Sequence, residues 1–128
     1  MAQIPAELKY VASHEWIRDE GNGIVTVGIT DFAQGELGDI VYVEVETLDE
    51  TMDADEVFGS VEAVKTVSDL FLPLSGEIIA FNDSLESDPE KVNNDPYGEG
   101  WMIKIKISNP EEIENLLDEA GYKELVGA

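Results

Sequence analysis

The chain has no cysteine, a single histidine (His14) and only seven lysine and arginine residues among its 128. The absence of cysteine excludes disulfides, thiol nucleophiles and thiolate metal sites. One histidine argues against a histidine-rich metal centre and against a Ser-His-Asp triad. We therefore expect His14 to be a structural or surface residue with no catalytic role.

Positive charge is scarce relative to negative charge. The 29 Asp and Glu residues give a formal net charge of −22 and a pI near 4.1. Such a charge argues against nucleic acid or an anionic membrane as a partner, because both would repel it. It favours protein partners that present basic docking surfaces. The hydrophobic fraction of 43% is ordinary for a globular protein, which argues against disorder of the whole chain.

Targeting and membrane segments are also absent from the sequence pattern. The N-terminal residues have neither the basic and apolar regions of a signal peptide nor the arginine-rich pattern of a transit peptide. No apolar run approaches the length of a membrane span. We expect a cytoplasmic protein, and a mitochondrial one only if the chain is the mature form of a eukaryotic protein.

What the chain does contain is a series of short segments rich in β-branched residues, several with alternating polarity. Turn-forming residues separate them at close spacing, which is typical of a mainly β domain built from antiparallel hairpins. We expect a single domain over residues 1–128, a flattened barrel or sandwich with its core over about 8–107. The predicted strands are residues 14–18, 23–30, 40–45, 56–64, 66–72, 77–81 and 101–107.

Two helices are predicted beside these strands. A short one is expected near residues 31–37, where Gly38 provides the stop. A C-terminal one is expected over about 110–120, with Asn109 as its cap and Gly121 as its end. Both lie at the margins of the strand pattern, so we expect them to be accessories to the sheets.

Lys65 is the only lysine or arginine between Arg18 and Lys91. Apolar, β-rich residues precede and follow it, so we expect it at the tip of a hairpin formed by strands 56–64 and 66–72. An amine displayed in this way is accessible to a modifying enzyme, and acylation turns its ammonium into an uncharged amide. The pattern favours an attachment point for a swinging cofactor, although most lysines at turns are simply solvated.

The sequence around Lys65 also resembles a known family. Residues 59–69, GSVEAVKTVSD, with PLSGEI at 73–78, resemble the lipoyl-attachment region of the glycine cleavage H-protein family. Further segments match that family in one consistent order from about residue 8 to the C-terminal helix. They are LKY at 8–10, SHEW at 13–16, VGITDFAQ at 27–34, LGDIV at 37–41 and NNDPYGEGWM at 93–102.

The resemblance implies a lipoyl-domain-like fold, a barrel-sandwich hybrid, with lipoic acid joined to Lys65 by an amide. In this family the arm takes the aminomethyl group of glycine from a pyridoxal-phosphate-dependent glycine decarboxylase. It passes the methylene to tetrahydrofolate on an aminomethyltransferase, and the FAD enzyme dihydrolipoyl dehydrogenase reoxidises the dithiol. The chain would then be a non-catalytic carrier, and a lipoate-attaching enzyme would be a further partner.

The family shelters the loaded arm in a surface cleft, and the resemblance carries three residues of this chain to that cleft. Ser13, Glu15 and Asp69 would lie along it, where carboxylates suit a cationic methylamine. Taken singly, the two acids are equally typical of solvated surface residues. Phe32 stands where many relatives have His or Tyr, and Glu36 stands where some have His. The resemblance therefore does not tell which polar contacts these two residues make in the cleft.

The sequence also carries expectations for three more residues or segments. Glu62, three residues before Lys65, is expected to be part of what the lipoate-attaching enzyme recognises. Gly76 is expected to mark a turn that needs a positive φ. The acidic residues 49–56 lack the ligand spacing and the glycine of a calcium loop, so no metal site is predicted.

Other functions remain open from the sequence alone. The protein could donate lipoyl groups to other lipoate-dependent complexes, or it could be an H-like regulatory protein that never carries lipoate. A biotin carrier also presents a lysine at a hairpin tip. Biotin domains resemble Ala-Met-Lys-Met at this point, whereas this chain has Ala63-Val64-Lys65-Thr66.

Overall fold

In the computed structural model, residues 4–127 are described; residues 1–3 and 128 of the predicted domain lie outside them. The described residues form nine strands in two antiparallel sheets, with strand orders β1-β2-β3-β9-β8-β5 and β4-β6-β7. The strands are β1 (Lys9–Tyr10), β2 (Glu15–Gly21), β3 (Ile24–Ile29), β4 (Ile40–Glu44), β5 (Thr51–Met52), β6 (Val57–Ala63), β7 (Val67–Phe71), β8 (Gly76–Phe81) and β9 (Ile103–Ile107).

The mainly β sandwich of antiparallel hairpins is confirmed. All seven predicted strands are present, and the last begins at Ile103, two residues later than expected. The two-residue strands β1 and β5 were not predicted. A strand of that length has no room for alternating polarity, so its sequence carries no pattern to detect.

The main core consists of the inward-facing residues of the strands. In the pairing of β3 with β9, Val25 lies opposite Ile105 and Val27 opposite Ile103, and all four side chains are fully buried. Each such side chain contributes about 1.5–3 kcal/mol by leaving water. From the second sheet, Val43 and its pair Val61 join the same cluster.

The predicted short helix is confirmed as α1 (Asp31–Leu37). Thr30 caps it, because its hydroxyl accepts a hydrogen bond of 3.1 Å from the backbone N–H of Ala33. Gly38 ends it with a φ of 81°, and its N–H donates to the carbonyl of Gln34. Two further helices, α2 (Ser84–Ser87) and α3 (Lys91–Asn94), fall within the stretch between β8 and β9, where no helix was predicted.

The prediction of one C-terminal helix over residues 110–120 is wrong. A 3₁₀ helix spans Pro110–Asn115, and the α-helix α4 (Glu119–Val126) follows. Leu117 separates the two helices. Its N–H and its carbonyl both form hydrogen bonds of 2.8 Å with the backbone of Tyr10, and this isolated antiparallel bridge pairs Leu117 with β1. Asp118 then caps α4 by accepting from the N–H of Gly121, which lies inside the helix and does not end it.

Helix α4 covers a second, smaller hydrophobic cluster. Its one fully buried residue, Tyr122, stacks on Tyr10 of β1 with ring centroids 4.7 Å apart. Trp16 completes the aromatic part of this cluster, and its indole N–H donates to the carbonyl of Pro96 at 2.9 Å. None of the described helices is long and apolar enough to cross a membrane.

Candidate functional site

Lys65 lies at the tip of the hairpin formed by β6 and β7, as the sequence predicts. The N–H of Ala63 donates to the carbonyl of Thr66 at 2.7 Å and closes the tip. The N–H of Val64 donates to the carbonyl of Asp39 at 3.1 Å, which ties the tip to the segment between α1 and β4. The lysine is therefore held on a backbone that is fixed at two points.

The side chain of Lys65 is exposed and accessible. It forms no ion pair with any acid of residues 4–127. Its neighbours Val64 and Val67 are 76% and 62% exposed, so the tip presents an amine within an apolar surface. The Cε atom lies 3.6 Å from the point that a Cβ on Gly38 would occupy. The end of the Lys65 side chain thus lies beside Gly38, at the C-terminal end of α1.

Glu62 lies on the outer face of the same sheet, one residue before the end of β6. It is exposed and lies between Tyr42 of β4 and Val67 of β7, which are its cross-strand neighbours. Tyr42 is itself 46% exposed. A protein that approaches Lys65 over this face therefore meets a carboxylate between two apolar side chains.

A cleft of about 260 Å³ lies beside the hairpin and is lined by Val61, Ser68 and Leu70 among others. Ser13 and Glu15 line it from the turn that leads into β2, Phe32 and Glu36 from α1, and Asp69 from β7. The three residues that the resemblance assigns to one cleft are thus brought together, although they come from two distant parts of the sequence. Glu15 lies inside, whereas Ser13 and Asp69 are exposed at the rim.

The carboxyl group of Glu15 is the most unusual group of the cleft, since the residue is only 1% exposed. Ser13 Oγ donates a hydrogen bond of 2.5 Å to its Oε1 atom. Burial raises the pKa of Glu15 to about 8, against the hydrogen bonds from Ser13 and from the backbone of Phe71, which lower it. At neutral pH this carboxyl group is mostly protonated.

Phe32 and Glu36 supply one wall of the cleft. The ring of Phe32 is half-buried, with its centroid 5.1 Å from that of His14. Glu36 is exposed and raises the pKa of His14, but burial has the larger effect and lowers it, so the imidazole is neutral at pH 7. At these two positions the wall therefore consists of an aromatic ring and a solvated carboxylate.

Sequence reasoning missed a pair of contacts behind this wall. His14 lines the cleft and its Nδ1 lies 2.8 Å from the hydroxyl of Tyr122, which is also 2.7 Å from Oγ1 of Thr30. The position of His14 between Ser13 and Glu15 was a signal that it belongs to the cleft. No local signal indicates Tyr122, because it is 108 residues away in the sequence.

Together these features describe a lysine that can be acylated, beside a cleft with a buried carboxyl and an apolar wall. A sequence profile of the glycine cleavage H-protein family matches residues 8–128. The glycine cleavage system H protein of Chromohalobacter salexigens is 56% identical over 128 residues, covering 100% of this chain and 98% of that one. The same protein of Bacteroides fragilis is 56% identical over 124 residues, covering 97% and 98%.

The structural comparison agrees with the sequence comparisons. The crystal structure of a glycine cleavage system H protein from Mycobacterium marinum superimposes with a TM-score of 0.88 at 38% sequence identity. The match covers 98% of this chain and 100% of that one, so the resemblance extends over both sheets and α4. The chain therefore belongs to the glycine cleavage H-protein family.

Proposed function

We propose that Lys65 is the residue to which this carrier of the glycine cleavage system attaches its lipoyl group, through an amide. The observation that carries the proposal is the exposure of Lys65 on a hairpin tip fixed by the bonds of Ala63 and Val64. A carrier arm must reach several active sites, so its anchor has to project from a rigid support. Tethering then supplies a high effective concentration of the arm at each docked enzyme.

The cleft is the proposed shelter for the arm once it holds the aminomethyl group. A cationic amine that enters beside Glu15 would find a buried carboxyl with no cationic partner among residues 4–127. The nearby cation would favour the ionised form of this carboxyl, and once its proton is released the two charges would attract strongly in this poorly solvated place. Asp69 at the rim adds a second acid, and Phe32 excludes water on the opposite side.

We further propose that the chain performs no step of the chemistry itself. Its partners would be the glycine decarboxylase, the aminomethyltransferase, dihydrolipoyl dehydrogenase and the enzyme that attaches lipoate. Glu62, exposed beside the tip, is the proposed recognition residue for the attaching enzyme. The contributions of the chain are then positioning of the arm and protection of its cargo.

The test is the intact mass of the protein after expression with a lipoate-attaching enzyme. The wild type should gain the mass of one lipoyl group, and Lys65→Arg should gain none while it keeps the charge. Lys123→Arg is the matched control, because Lys123 is also an exposed lysine but its Nζ pairs with Glu119 at 3.0 Å. Lipoylation of the Lys65→Arg variant, or a biotinyl mass on the wild type, would contradict the assignment.

A further inference from the structure

One hydroxyl group joins two walls of the cleft. The first wall is the turn that carries Ser13 and Glu15, and the second is helix α1. Tyr122 Oη lies 2.8 Å from Nδ1 of His14 in the first wall. It also lies 2.7 Å from Oγ1 of Thr30, the residue that caps α1 in the second wall. Tyr122 is fully buried, so water does not compete for these two hydrogen bonds.

One assignment of the donors satisfies all of these groups. Thr30 Oγ1 already accepts from the N–H of Ala33, so its own proton is free to point to Tyr122 Oη. The tyrosine proton is then free for Nδ1 of His14, whose neutral ring can accept it. A chain of donors thus runs from the helix cap to the imidazole, and every member of the chain is satisfied.

The turn at His14 needs such support. Its φ is 72°, in the left-handed region that a residue with a Cβ adopts at a cost of about 1 kcal/mol or more. The backbone of the turn is fixed by three hydrogen bonds. They run from the N–H of His14 to the carbonyl of Val11, from the N–H of Val11 to the carbonyl of Glu15, and from the N–H of Thr30 to the carbonyl of His14. The bond to Tyr122 is the one that fixes the His14 side chain, and that ring packs against Phe32 of the other wall.

We propose that Tyr122 is a positioning residue for the cleft: its hydroxyl keeps the two walls in register, so that the C-terminal helix α4 determines how well the arm is protected. This inference rests on the proposed function of the cleft as the shelter of the loaded arm. Tyr122 is not among the residues that line the cleft. It acts through His14 and Thr30, on the side of the walls that faces away from the cleft.

The chain provides a matched control for a test of this role. Tyr10 stacks on Tyr122 and is equally buried, and its hydroxyl group donates one partly buried hydrogen bond of 2.5 Å to the carbonyl of Pro5. Tyr10→Phe and Tyr122→Phe each remove one hydroxyl from the same stacked pair and keep the ring. Only Tyr122→Phe removes the link between the cleft walls.

The first measurement uses the protein without a lipoyl group. Since His14 is the only histidine, imidazole signals in a nitrogen-15 NMR spectrum of the untagged chain belong to it alone. Loss of the donor to Nδ1 should shift that nitrogen resonance and raise the pKa of His14 in Tyr122→Phe, but not in Tyr10→Phe. Equal effects in the two variants, or no effect in either, would overturn the proposal.

The second measurement follows the loaded arm. The lipoylated protein is charged with glycine and glycine decarboxylase, separated from the enzyme, and sampled by mass spectrometry as the aminomethyl group is lost. We expect loss to be about five-fold faster in Tyr122→Phe than in Tyr10→Phe, the effect of one buried hydrogen bond. If the wild type decays as fast as the unfolded protein, the shelter itself is absent. If it decays slowly and the two variants are equal, the shelter stands and the role of Tyr122 is refuted.

Discussion

Glu15 combines three properties that seldom occur in one residue. Its carboxyl group is buried, it forms no ion pair with a described residue, and its pKa is about 8. Burial of an unpaired carboxylate is costly, and the group avoids that cost by remaining protonated. The negative charge of Asp55 reinforces the effect of burial. The entry of a cationic arm would reverse this preference, because the cation would supply the missing partner.

The raised pKa has a consequence for stability. Between the ordinary value of 4.5 and about 8, the folded protein keeps a proton on Glu15 that the unfolded chain has released. The contribution of this group to stability is therefore complete below about pH 4.5, and it is lost as the pH rises through 8. Within this window the free energy of unfolding should fall by roughly 1 kcal/mol per pH unit from Glu15 alone.

Glu15→Gln tests this expectation, because the amide has the shape of the protonated acid and does not titrate. Urea unfolding at about pH 5 and about pH 8 should show a smaller decrease in stability for the variant than for the wild type. Glu62→Gln is the control, since Glu62 is exposed and should leave the pH dependence unchanged. The expectation fails if the wild type and Glu15→Gln lose the same free energy between the two pH values.

Among the elements, helix α3 has only four residues, but one of them holds two other segments in place. The side-chain oxygen of Asn93 accepts from the N–H of Ile40 at 2.8 Å, at the start of β4. Its amide donates to the side chain of Gln34 and to the carbonyl of Gly38, both at 2.9 Å. One side chain thus fixes the end of α1 and the beginning of β4. This is the segment against which Lys65 lies.

Asn93→Ala should therefore destabilise the protein by about 1–3 kcal/mol, because it leaves the N–H of Ile40 and the carbonyl of Gly38 without this partner. Chemical denaturation measures the change. Asn94→Ala is the neighbouring control: its side chain is exposed, and the change should stay within about 0.5 kcal/mol. Equal stability of the two variants would show that the contacts of Asn93 contribute little.

The elements that could be predicted from sequence are those with a local signal. Alternating β-branched residues predicted β3 and the two strands beside Lys65, and a capping threonine and a glycine with positive φ bound α1. The C-terminal helix was predicted with the wrong bounds because the bridge of Leu117 to Tyr10 joins residues far apart in the sequence. The capping residues of that helix could be recognised in the sequence, but the strand pairing of Leu117, which divides the segment in two, could not.

Gly76 shows the same limit of prediction from sequence, here in a single residue. A turn with positive φ was the expected reason for this glycine, and that expectation is wrong: Gly76 is the first residue of β8. A Cβ at this position would collide with the backbone carbonyl of Lys106 in the neighbouring strand β9. The glycine thus permits close approach of two strands, a property of the pairing. The cleft was predictable only through resemblance to a family, because its walls come from distant segments.

At the scale of the whole molecule, negative charge surrounds the carrier end. The sheet that holds Lys65 carries Glu44 on β4, Glu62 on β6 and Asp69 on β7, whereas Lys104 and Lys106 lie on β9 of the other sheet. The strands of the sheet that holds Lys65 thus carry acids and no lysine or arginine. A partner with a basic surface would be attracted to the end that holds the arm.

Association with glycine decarboxylase, the proposed partner, should accordingly slow as salt is added. Between about 0.1 M and about 1 M salt the Debye length shrinks from about 10 Å to about 3 Å, which removes long-range attraction. Stopped-flow measurement of the association rate should show a decrease across this range. It should also show a lower rate at low salt for Glu62→Gln than for Glu124→Gln, an equal change of charge on α4. A rate that ignores salt, or equal rates for the two variants, would mean that shape and apolar contacts at Val64 and Val67 direct docking.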